Sequence, residues 1–337
     1  MSAAVHTVVI RGTGSYAPAK VVTNHDLSKS IETSDEWIMS RTGIRERRVA
    51  GRHEDPSDMA ARAGQAALEA AGLTPADVDA IIVATMTGDL PFPSTACLVQ
   101  HKLGAPKCTA FDIAAACSGF VYGLEVASSL IRAGAHRTIL LIGAEKLSSI
   151  LNWTDRTTCV LFGDGAGAVV LSRDSGTSNS ILGIRTGADG EDAGLLYQHA
   201  GGSRHPATAD SVAHGQHFLR MNGREVFKHA VLVMEKASVD LLHEHGFTAA
   251  DVDCVIPHQA NRRIIETMAE RLEVPLERFF INLDRYGNTS AASIPLALDE
   301  AARAGRLRPG GLVLLVAFGA GLTWGAALLR WPKARSA

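Results

Sequence analysis

The segment GLTPADVDAIIVAT at residues 72–85 recurs in altered form as GFTAADVDCVIPHQ at residues 246–259. Seven of the fourteen positions are identical, at an offset of 174. Each copy follows a helix-like stretch, and in each a Thr and an Asp suited to helix capping precede an apolar run typical of a buried strand. This recurrence predicts that the chain consists of two similar halves.

Two further pairs of segments extend the repeat in the same order. ACLVQHKLGAP (96–106) resembles IIETMAERLEVP (264–275), and RAGAHRTILLIG (132–143) matches RAGRLRPGGLVLLVA (303–317) at an offset of 171. Each Arg-Ala-Gly ends a helix before an apolar strand. Helices alternating with buried strands are typical of an α/β fold whose sheets are covered on both faces.

We place the two halves at residues 1–176 and 177–337. The boundary falls in RDSGTSNS (173–180), whose Ser, Gly and Asp content is typical of a linker. Each half is long enough to form its own core.

The composition is that of a globular protein, with 337 residues of which 46% are apolar and 20% charged. The net charge of −2 provides no overall field for nucleic acid or a membrane, so a charged partner requires a local patch. The five cysteines form no C-x-x-C pair, which argues against a disulfide framework or a cysteine zinc site. The N-terminus lacks a signal-peptide pattern, and no apolar run is long enough to span a bilayer. We therefore expect a cytoplasmic protein.

Cys117 lies in FDIAAACSGF (111–120), among small residues that let backbone or a ligand approach the thiol. A free cysteine in such a setting is commonly just a small buried hydrophobe. At the offset of 171 its counterpart is Asn288, and both residues lie fifteen positions before the Arg of an Arg-Ala-Gly. His258 follows the strand of the second copy. Because strand ends and helix starts carry the sites of α/β folds, we expect these three residues to meet.

Several other patterns suggest functions that we reject. RGTGSYA (11–17) and GDGAGA (163–168) resemble dinucleotide-binding glycine motifs but lack the helix that must follow, so we interpret both as tight turns. HGQH (214–217), with His199 and His205 nearby, lacks a third metal ligand at a recognised spacing, and we interpret these histidines as solvated. We expect neither a metal nor a dinucleotide cofactor.

The order Cys117, His258, Asn288 is also that of papain-like hydrolases. The local papain-like pattern around the nucleophile is absent, and the cysteine lies far from the N-terminus. A duplicated α/β chain is also the wrong architecture for that class.

A cysteine at a helix start meets unpaired N–H groups and the positive end of the helix dipole, which predicts a lowered thiol pKa.

A specific set of motifs runs almost from end to end of the chain. They are GTGSYAP, ETSDEWIMSRTGIRERR (32–48), PFPSTACLVQ (91–100), DIAAACSGFVYGL (112–124), WTDRTTCVLFGDGAGAVVL (153–171), MNGREVF (221–227), PHQANRRII (257–265), YGNTSAASIPLAL (286–298) and AFGAGLTWGAALLRW. In these motifs the chain resembles the 3-oxoacyl-[acyl-carrier-protein] synthase III family of the thiolase superfamily. The resemblance implies a thiolase-like five-layer αβαβα fold from two duplicated halves, and a homodimer.

The same resemblance implies an acyltransferase that starts type II fatty-acid synthesis without a cofactor. An acyl-CoA starter and malonyl-acyl carrier protein would give 3-oxoacyl-acyl carrier protein and CO₂, with Cys117 carrying the acyl group as a thioester. His258 and Asn288 would donate hydrogen bonds to the thioester oxygen as CO₂ leaves. Backbone N–H groups of Cys117 and Ala320 would form the oxyanion hole. Ala320 departs from the glycine frequent in the family, which leaves its backbone angles in question.

The resemblance also assigns binding residues, and for several of them a plainer interpretation remains open. Positions matching CoA and pantetheine contacts are Trp37, Arg41, Arg156, Gly223, Phe227, Ala260 and Asn261. Positions matching carrier-protein contacts are Lys228, Arg262 and Arg263. Phe92 matches a residue that crosses the dimer interface to bound the partner's acyl pocket. The aromatic side chains are also compatible with ordinary packing, the basic ones with a solvated face, and Asn288 with a helix N-cap.

The starter acyl group stays undetermined in chain length and branching. A related thiolase-fold acyltransferase or a condensing enzyme of specialised metabolism would carry the same three residues. No nucleic acid or membrane partner is expected.

Overall fold

The structure, a computed structural model, describes residues 6–174 and 179–332. Its strands are β1 (Thr7–Tyr16), β2 (Val21–Thr23), β3 (Glu46–Arg48), β4 (Ala80–Ala84), β5 (Thr109–Ile113), β6 (Thr138–Lys146), β7 (Asp164–Asp174), β8 (Ile181–Ala188), β9 (Leu196–Gln198), β10 (Leu219–Met221), β11 (Cys254–Pro257), β12 (Leu312–Gly319) and β13 (Thr323–Arg330). Its helices are α1 (Asn24–Ser28), α2 (Asp35–Thr42), α3 (Pro56–Ala71), α4 (Thr95–Leu103), α5 (Gly119–Arg132), α6 (Ala209–Ala213), α7 (Gly223–Glu244), α8 (Arg262–Arg271), α9 (Leu283–Tyr286) and α10 (Ser293–Arg303).

Two main sheets lie on either side of the predicted boundary in the chain. The first has the order β1-β7-β6-β4-β5, and the second has the order β11-β12-β13-β8. In the first, β4 runs parallel to β5 and β6, whereas β7 pairs antiparallel with β6 and β1. In the second, β11 and β12 are parallel, and β13 and β8 are added antiparallel. The junction between residues 176 and 177 lies outside the described residues.

The buried side chains divide into layers that confirm the predicted five-layer αβαβα fold. Helices α5 and α10 lie between the sheets, where Phe120 and Leu298 pack in one cluster with Ile82 of the first sheet and Leu315 of the second. The outer face of the first sheet is covered by α3 and α4. The outer face of the second is covered by α7 and α8. Among the described residues, no helix is both long and apolar enough to cross a membrane.

The structural repeat keeps one constant offset across the core, the same as that between the two copies of the opening segment. Strand β4 begins at position 80 and β11 at position 254, and β6 and β12 begin with the same separation, at positions 138 and 312. The 3₁₀ turn Ala116–Ser118 before α5 corresponds to the turn Ser290–Ala292 before α10, and the two turns pack against each other. Their first residues, Ala116 and Ser290, both have left-handed φ angles, +46° and +48°. The duplication therefore extends to individual backbone angles.

This register corrects the expected correspondence between Cys117 and Asn288. The structural counterpart of Cys117 is Ala291, and Asn288 lies just before the second turn. Helix α10 has 11 residues and α5 has 14, so the shorter offset of the Arg-Ala-Gly segments arises inside the helix. The prediction that the two helix starts meet is nevertheless confirmed, because a Cβ atom on Gly119 would lie 3.5 Å from that of Ala291.

The two glycine motifs interpreted as tight turns lie in strands. Gly12 and Gly14 belong to β1, where a Cβ atom on either would overlap the backbone of α3 at Ala67. Gly167 belongs to β7 and lies in the same way against the backbone of α10 at Leu296. These glycines let helices pack directly on the first sheet, so the prediction of turns was wrong.

Candidate active site

A cavity of about 670 Å³ runs from the protein surface to the start of α5. Its volume is in the range typical of small-ligand sites. The predicted site residues that line it are Trp37, Arg41, Cys117, Arg156, Gly223, Phe227, Lys228, His258, Ala260, Asn261, Arg263 and Asn288. Cys117, His258 and Asn288 are buried, whereas Arg41 and Arg156 are exposed, so the cavity joins a buried end to an open one. Arg262, Ala320 and Phe92 are not part of its lining.

Cys117 is the middle residue of the 3₁₀ turn that leads into α5. Its side chain is buried, and burial raises the pKa of the thiol to about 12, although the Ser290 hydroxyl and the backbone N–H of Cys117 itself act in the opposite direction. The expectation of a lowered pKa from the helix start was therefore wrong, because burial outweighs the local N–H groups. The side chain therefore rests as a thiol, and a role as nucleophile would require it to lose a proton.

Gly319, at the end of β12, leaves space in front of the Cys117 backbone N–H. A Cβ atom at this position would lie 2.6 Å from the Cys117 nitrogen. Glycine therefore keeps open a volume in which an oxygen can accept a hydrogen bond from that N–H. Ala320 follows, and its carbonyl accepts a hydrogen bond of 3.0 Å from the Thr323 hydroxyl. Its φ angle is not positive, so alanine fits this backbone without strain.

His258 follows β11 and presents a neutral ring to the cavity. Burial lowers the pKa of His258 to about 3. Its Nδ1 atom lies 2.6 Å from the Oγ of Ser293, the first residue of α10. The Gln259 backbone N–H also points at this oxygen, at 3.4 Å. One ring nitrogen is thus occupied, and the other is left for a ligand.

Asn288 is held by a hydrogen bond to the turn that follows it. Its Oδ1 accepts a hydrogen bond of 2.8 Å from the Ser290 backbone N–H. This bond fixes the orientation of the amide and leaves its NH₂ group available on the cavity side. The neutral ring of His258 and the amide of Asn288 therefore border the same space beside Cys117.

At the open end of the cavity, two guanidinium groups lie over the ring of Trp37. The Cζ atoms of Arg41 and Arg156 lie 4.8 Å and 5.1 Å from the centroid of the ring. Arg156 also donates a hydrogen bond of 2.9 Å to the Glu32 carbonyl. Trp37 is half-buried on Ile38 and its neighbours as well, so the ring both packs and presents a surface. A flat aromatic ring beside two cations suits an anionic ligand with a planar ring.

Basic residues surround the same opening. Lys228 in α7 forms an ion pair with Glu225, and Arg262 in α8 forms one with Glu266. Arg263 is exposed and lines the cavity directly. Because Lys228 and Arg262 are paired with carboxylates, the excess positive charge at this rim comes from Arg263, on a chain whose net charge is −2.

Phe92 is 84% exposed, which excludes the alternative that it is plain core. Met86 and Leu90, in the same connection between β4 and α4, are also more than half exposed. Three neighbouring apolar side chains on one exposed segment are typical of an interaction surface.

Three residues around the predicted site were missed from the sequence: Ser290 and Ser293, which contact it, and Glu145, which accepts a hydrogen bond from Ser290. The first two stand in the motif that contains Asn288, and Glu145 is a charged residue within the buried strand β6. The apolar lining was also missed: Val160, Leu161, Phe162, Leu196, Met221, Val226, Ala230, Met234, Ile264 and Phe318. Within residues 6–174 and 179–332, no three His, Cys, Asp or Glu side chains are grouped so as to hold a metal ion.

The chain matches two family models. The model for 3-oxoacyl-[acyl-carrier-protein] synthase III matches residues 111–190, and the model for the C-terminal part of these synthases matches residues 242–331.

Individual relatives cover nearly the whole chain. The beta-ketoacyl-[acyl-carrier-protein] synthase III of Roseiflexus castenholzii is 56% identical over 322 residues, which is 96% of this chain and 97% of the relative. The synthase of the same name from Caldanaerobacter subterraneus is 54% identical over 325 residues, 96% of this chain and 98% of the relative. The crystal structure of 3-oxoacyl-[acyl-carrier-protein] synthase III from Aquifex aeolicus superposes with a TM-score of 0.89 at 50% identity, covering 96% of this chain and 100% of that one.

Proposed function

This chain belongs to the 3-oxoacyl-[acyl-carrier-protein] synthase III family of acyltransferases, and we propose that it performs the family's condensation at the cavity described above. A short acyl-CoA starter and malonyl-acyl carrier protein give 3-oxoacyl-acyl carrier protein, CoA and CO₂. The single observation that carries this proposal is that Cys117, His258 and Asn288 line one cavity with an open, cationic end.

In the first half-reaction, Cys117 attacks the thioester carbon of acyl-CoA. A bond forms between the cysteine sulfur and the acyl carbon, CoA leaves as a thiolate, and the acyl group stays on Cys117. The space that Gly319 leaves open receives the carbonyl oxygen, which accepts a hydrogen bond from the Cys117 N–H. We assign the second donor of this oxyanion hole to the N–H of Ala320.

In the second half-reaction, His258 and Asn288 stabilise the charge that develops as CO₂ leaves the malonyl thioester. We propose that Ser293 donates its hydroxyl hydrogen to Nδ1 of His258, which places the ring hydrogen on Nε2. Nε2–H and the Asn288 NH₂ group then donate to the thioester oxygen of the forming enolate. Because the low pKa of His258 keeps the ring neutral, it acts as a hydrogen-bond donor and not as an acid. The carbanion attacks the acyl carbon on Cys117 and releases the sulfur.

The open end of the cavity recognises the carrier of each substrate. Trp37, Arg41 and Arg156 take the adenine nucleotide of CoA, which combines a planar ring with phosphates. Gly223, Phe227, Ala260 and Asn261 line the path of the pantetheine arm that CoA and the carrier protein share.

The basic rim takes the acidic carrier protein. Arg263 is the test position, because it is exposed at the opening. Arg263→Glu should raise the KM for malonyl-acyl carrier protein at least tenfold and leave acylation by acetyl-CoA within about threefold. Lys107→Glu, at an exposed basic residue before β5 that does not line the cavity, is the control and should change neither value by more than about threefold. Equal effects of both changes would remove Arg263 from the docking surface.

The protein acts as a homodimer in this proposal. The exposed apolar side chains of Met86, Leu90 and Phe92 favour burial against a second copy, in which Phe92 bounds the partner's acyl pocket. We also propose that residues 1–176 and 177–337 are the two halves, that no cofactor is needed, and that the compartment is the cytoplasm. The five free cysteines are compatible with a reducing compartment.

The function is tested with a panel of acceptors on the acylated enzyme. Malonyl-acyl carrier protein should be converted to the 3-oxoacyl product much faster than malonyl-CoA, and small alcohols should not react. Preference for an alcohol would instead assign the chain to acyl transfer. Preference for malonyl-CoA would assign it to a condensation of specialised metabolism.

A further inference from the structure

Glu145 is a fully buried carboxyl group that the condensation described above does not use. It lies near the end of β6, at 0% exposure, behind the cavity wall and not on it. An ionised carboxylate in such a place is unfavourable unless hydrogen bonds compensate for the lost water. Within the described part of the chain, its hydrogen-bond donors are neutral: the hydroxyls of Thr85, Thr87 and Ser290 and the backbone N–H groups of Met86 and Ala291.

Ser290 connects this carboxyl group to the nucleophile. Its Oγ lies 3.0 Å from Oε1 of Glu145, and its hydroxyl is near enough to the sulfur of Cys117 to lower the pKa of the thiol. A hydroxyl has one hydrogen to donate, so the two bonds depend on each other. When Ser290 donates to an ionised Glu145, its oxygen is left to accept the S–H of Cys117. When Glu145 is protonated and donates to Ser290, the serine hydrogen is free to stabilise a thiolate.

We propose that Glu145 takes up, through Ser290, the proton that Cys117 loses on attacking acyl-CoA, and returns it when the acyl group leaves. The inference rests on the proposed function. As the S–C bond forms, the thiol proton passes to Oγ of Ser290 and the hydroxyl proton of Ser290 passes to Oε1 of Glu145. CoA leaves as a thiolate and takes its proton from water. When the carbanion later displaces the Cys117 sulfur, the two protons move back, and the thiol and the carboxylate are restored.

This transfer needs no change in the total charge of a buried site. Before the transfer Glu145 carries the negative charge, and after it the sulfur of Cys117 carries it, so the pair keeps a total charge of minus one. Acylation then removes the charge from the sulfur, and CoA leaves with it as a thiolate. In the acyl-enzyme, Glu145 is then neutral while an enolate and an oxyanion develop nearby. A carboxylate at that position would oppose both charges in an environment with little screening. Burial raises the pKa of Glu145 to about 7, which brings the carboxyl into the range where it can hold or release a proton.

The duplicated backbone explains how a carboxylate is held in this position. In the register that aligns β6 with β12, Glu145 corresponds to Gly319, and in the same register Cys117 corresponds to Ala291. Gly319 leaves open the space in front of the Cys117 N–H, and the Glu145 side chain fills the matching space with an oxygen that accepts from the Ala291 N–H. The turn before α10 thus holds a built-in anion, the side chain of Glu145 from the first half, at the position where the turn before α5 binds the anion of the reaction.

Few titratable groups face Glu145. The thiol of Cys117 lies beyond Ser290, and His258 lies across the cavity. Lys146, the next residue of β6, donates to the carbonyls of Gly51 and Glu54 on the surface side. The turn after β4 and the turn before α10 present only hydroxyl and N–H groups to it. A change in rate near neutral pH is therefore assignable to Glu145.

Alkylation of Cys117 by iodoacetamide, followed by peptide mass mapping, tests the relay without acyl-CoA. In the wild-type protein, the rate should rise with pH and level off near the pKa of Glu145. In Glu145→Gln and Ser290→Ala, the alkylation rate at pH 7 should fall about 10²-fold, which is the lower end of the range for loss of a proton acceptor. In both variants the rate should show no plateau near neutral pH and should continue to rise with pH until the thiol ionises. Glu145→Asp, which keeps a titrating carboxyl group, should keep the plateau. Ser118→Ala, which removes a buried neighbouring hydroxyl without a hydrogen-bond partner, should retain the wild-type profile.

Infrared difference spectra of the wild-type protein give a second measurement that needs no variant. Acylation by acetyl-CoA should produce the C=O stretch of a protonated carboxylic acid, which shifts in D₂O. Plateaus preserved in Glu145→Gln and Ser290→Ala, or an acyl-enzyme without this band, would overturn the relay while leaving the condensation intact. Failure of acetyl-CoA and other short acyl-CoAs to acylate Cys117 at all would instead reject the proposed function.

Discussion

The Nδ1 atom of His258 lies 2.6 Å from the Oγ of Ser293, so the first residue of α10 fixes the ring of the second-half histidine. The bond joins the strand end after β11 to the helix that packs between the two sheets. In the proposed arrangement, in which Ser293 donates this bond, the ring hydrogen lies on Nε2, where it faces the substrate oxygen.

Ser293→Ala should slow the condensation more than the acylation. One hydrogen bond between neutral groups contributes about 0.5–1.5 kcal/mol, which corresponds to about 2- to 10-fold in rate. The measurement compares kcat for the complete reaction with the single-turnover rate of Cys117 acylation. Ser293→Thr, which keeps the hydroxyl, should restore most of the loss. An equal reduction of both rates by Ser293→Ala would indicate a structural role only.

Asn288→Asp should slow condensation strongly while acyl-Cys117 still forms. The carboxylate can keep the hydrogen bond from the Ser290 N–H but replaces the donor on the cavity side with an acceptor. Loss of one donor to a developing oxyanion costs about 3–4 kcal/mol, or about 10²- to 10³-fold in rate. CO₂ release from malonyl-acyl carrier protein and the intact mass of the enzyme measure the two steps separately. Release of CO₂ at the wild-type rate would remove Asn288 from the enolate site.

Gly319→Ala should block attack on acyl-CoA. The added Cβ would lie 2.6 Å from the Cys117 nitrogen and would fill the space assigned to the substrate oxygen. Overpacking of this kind costs about 1–3 kcal/mol of stability, so the thermal midpoint should also fall. Gly190→Ala is the control, because a Cβ there meets no atom within 4 Å. Acylation at the wild-type rate in Gly319→Ala would contradict the assigned oxyanion hole.

Trp37→Ala should weaken the binding of acyl-CoA without affecting the binding of an acyl-pantetheine that lacks the nucleotide. Contact of an aromatic face with a planar or cationic partner contributes about 0.5–2 kcal/mol, so loss of the Trp37 contact with the nucleotide predicts a rise of about 2- to 30-fold in the KM for acetyl-CoA. Trp153→Ala is the control, since Trp153 is also partly exposed but does not line the cavity. Equal changes for both substrates would show that Trp37 acts through packing alone.

His258 should make the folded protein less stable towards acid. Its pKa in the folded state is lowered to about 3 from 6.5, so the unfolded chain binds the proton more readily between these values. The stability that comes from keeping the ring neutral is present above pH 6.5 and is lost as pH falls towards 3. Urea unfolding between pH 7 and pH 4 should show a smaller decline in His258→Gln than in the wild type. Parallel declines would indicate that other groups set the acid sensitivity.

Much of this architecture was predictable because it is periodic in the sequence. The recurrence of residues 72–85 at 246–259 predicted two halves, and buried strands between helices predicted covered sheets. The partner of Cys117 was placed at Asn288 instead of Ala291, because α10 is shorter than α5 and the loss lies within the helix. The offset of 171 was measured at the Arg-Ala-Gly segments, which follow these helices, so it does not apply to Cys117, which precedes them.

The chemistry of individual groups was less predictable. Cys117 was placed at a helix start, but the depth at which it is buried depends on packing of both halves, and burial dominates its pKa. Glu145 became visible only when the fold placed it behind Ser290, which lies far away in the chain, in the other half. Contacts between the two halves form the site, and no local sequence pattern specifies them.

The intact mass of the protein after incubation with acetyl-CoA, and then with malonyl-acyl carrier protein, tests the central claim most directly. The account predicts an acetyl adduct on Cys117 that disappears as 3-oxoacyl-acyl carrier protein appears, and no adduct in Cys117→Ala. An adduct that is lost only by hydrolysis, or no adduct with any short acyl-CoA, would contradict it.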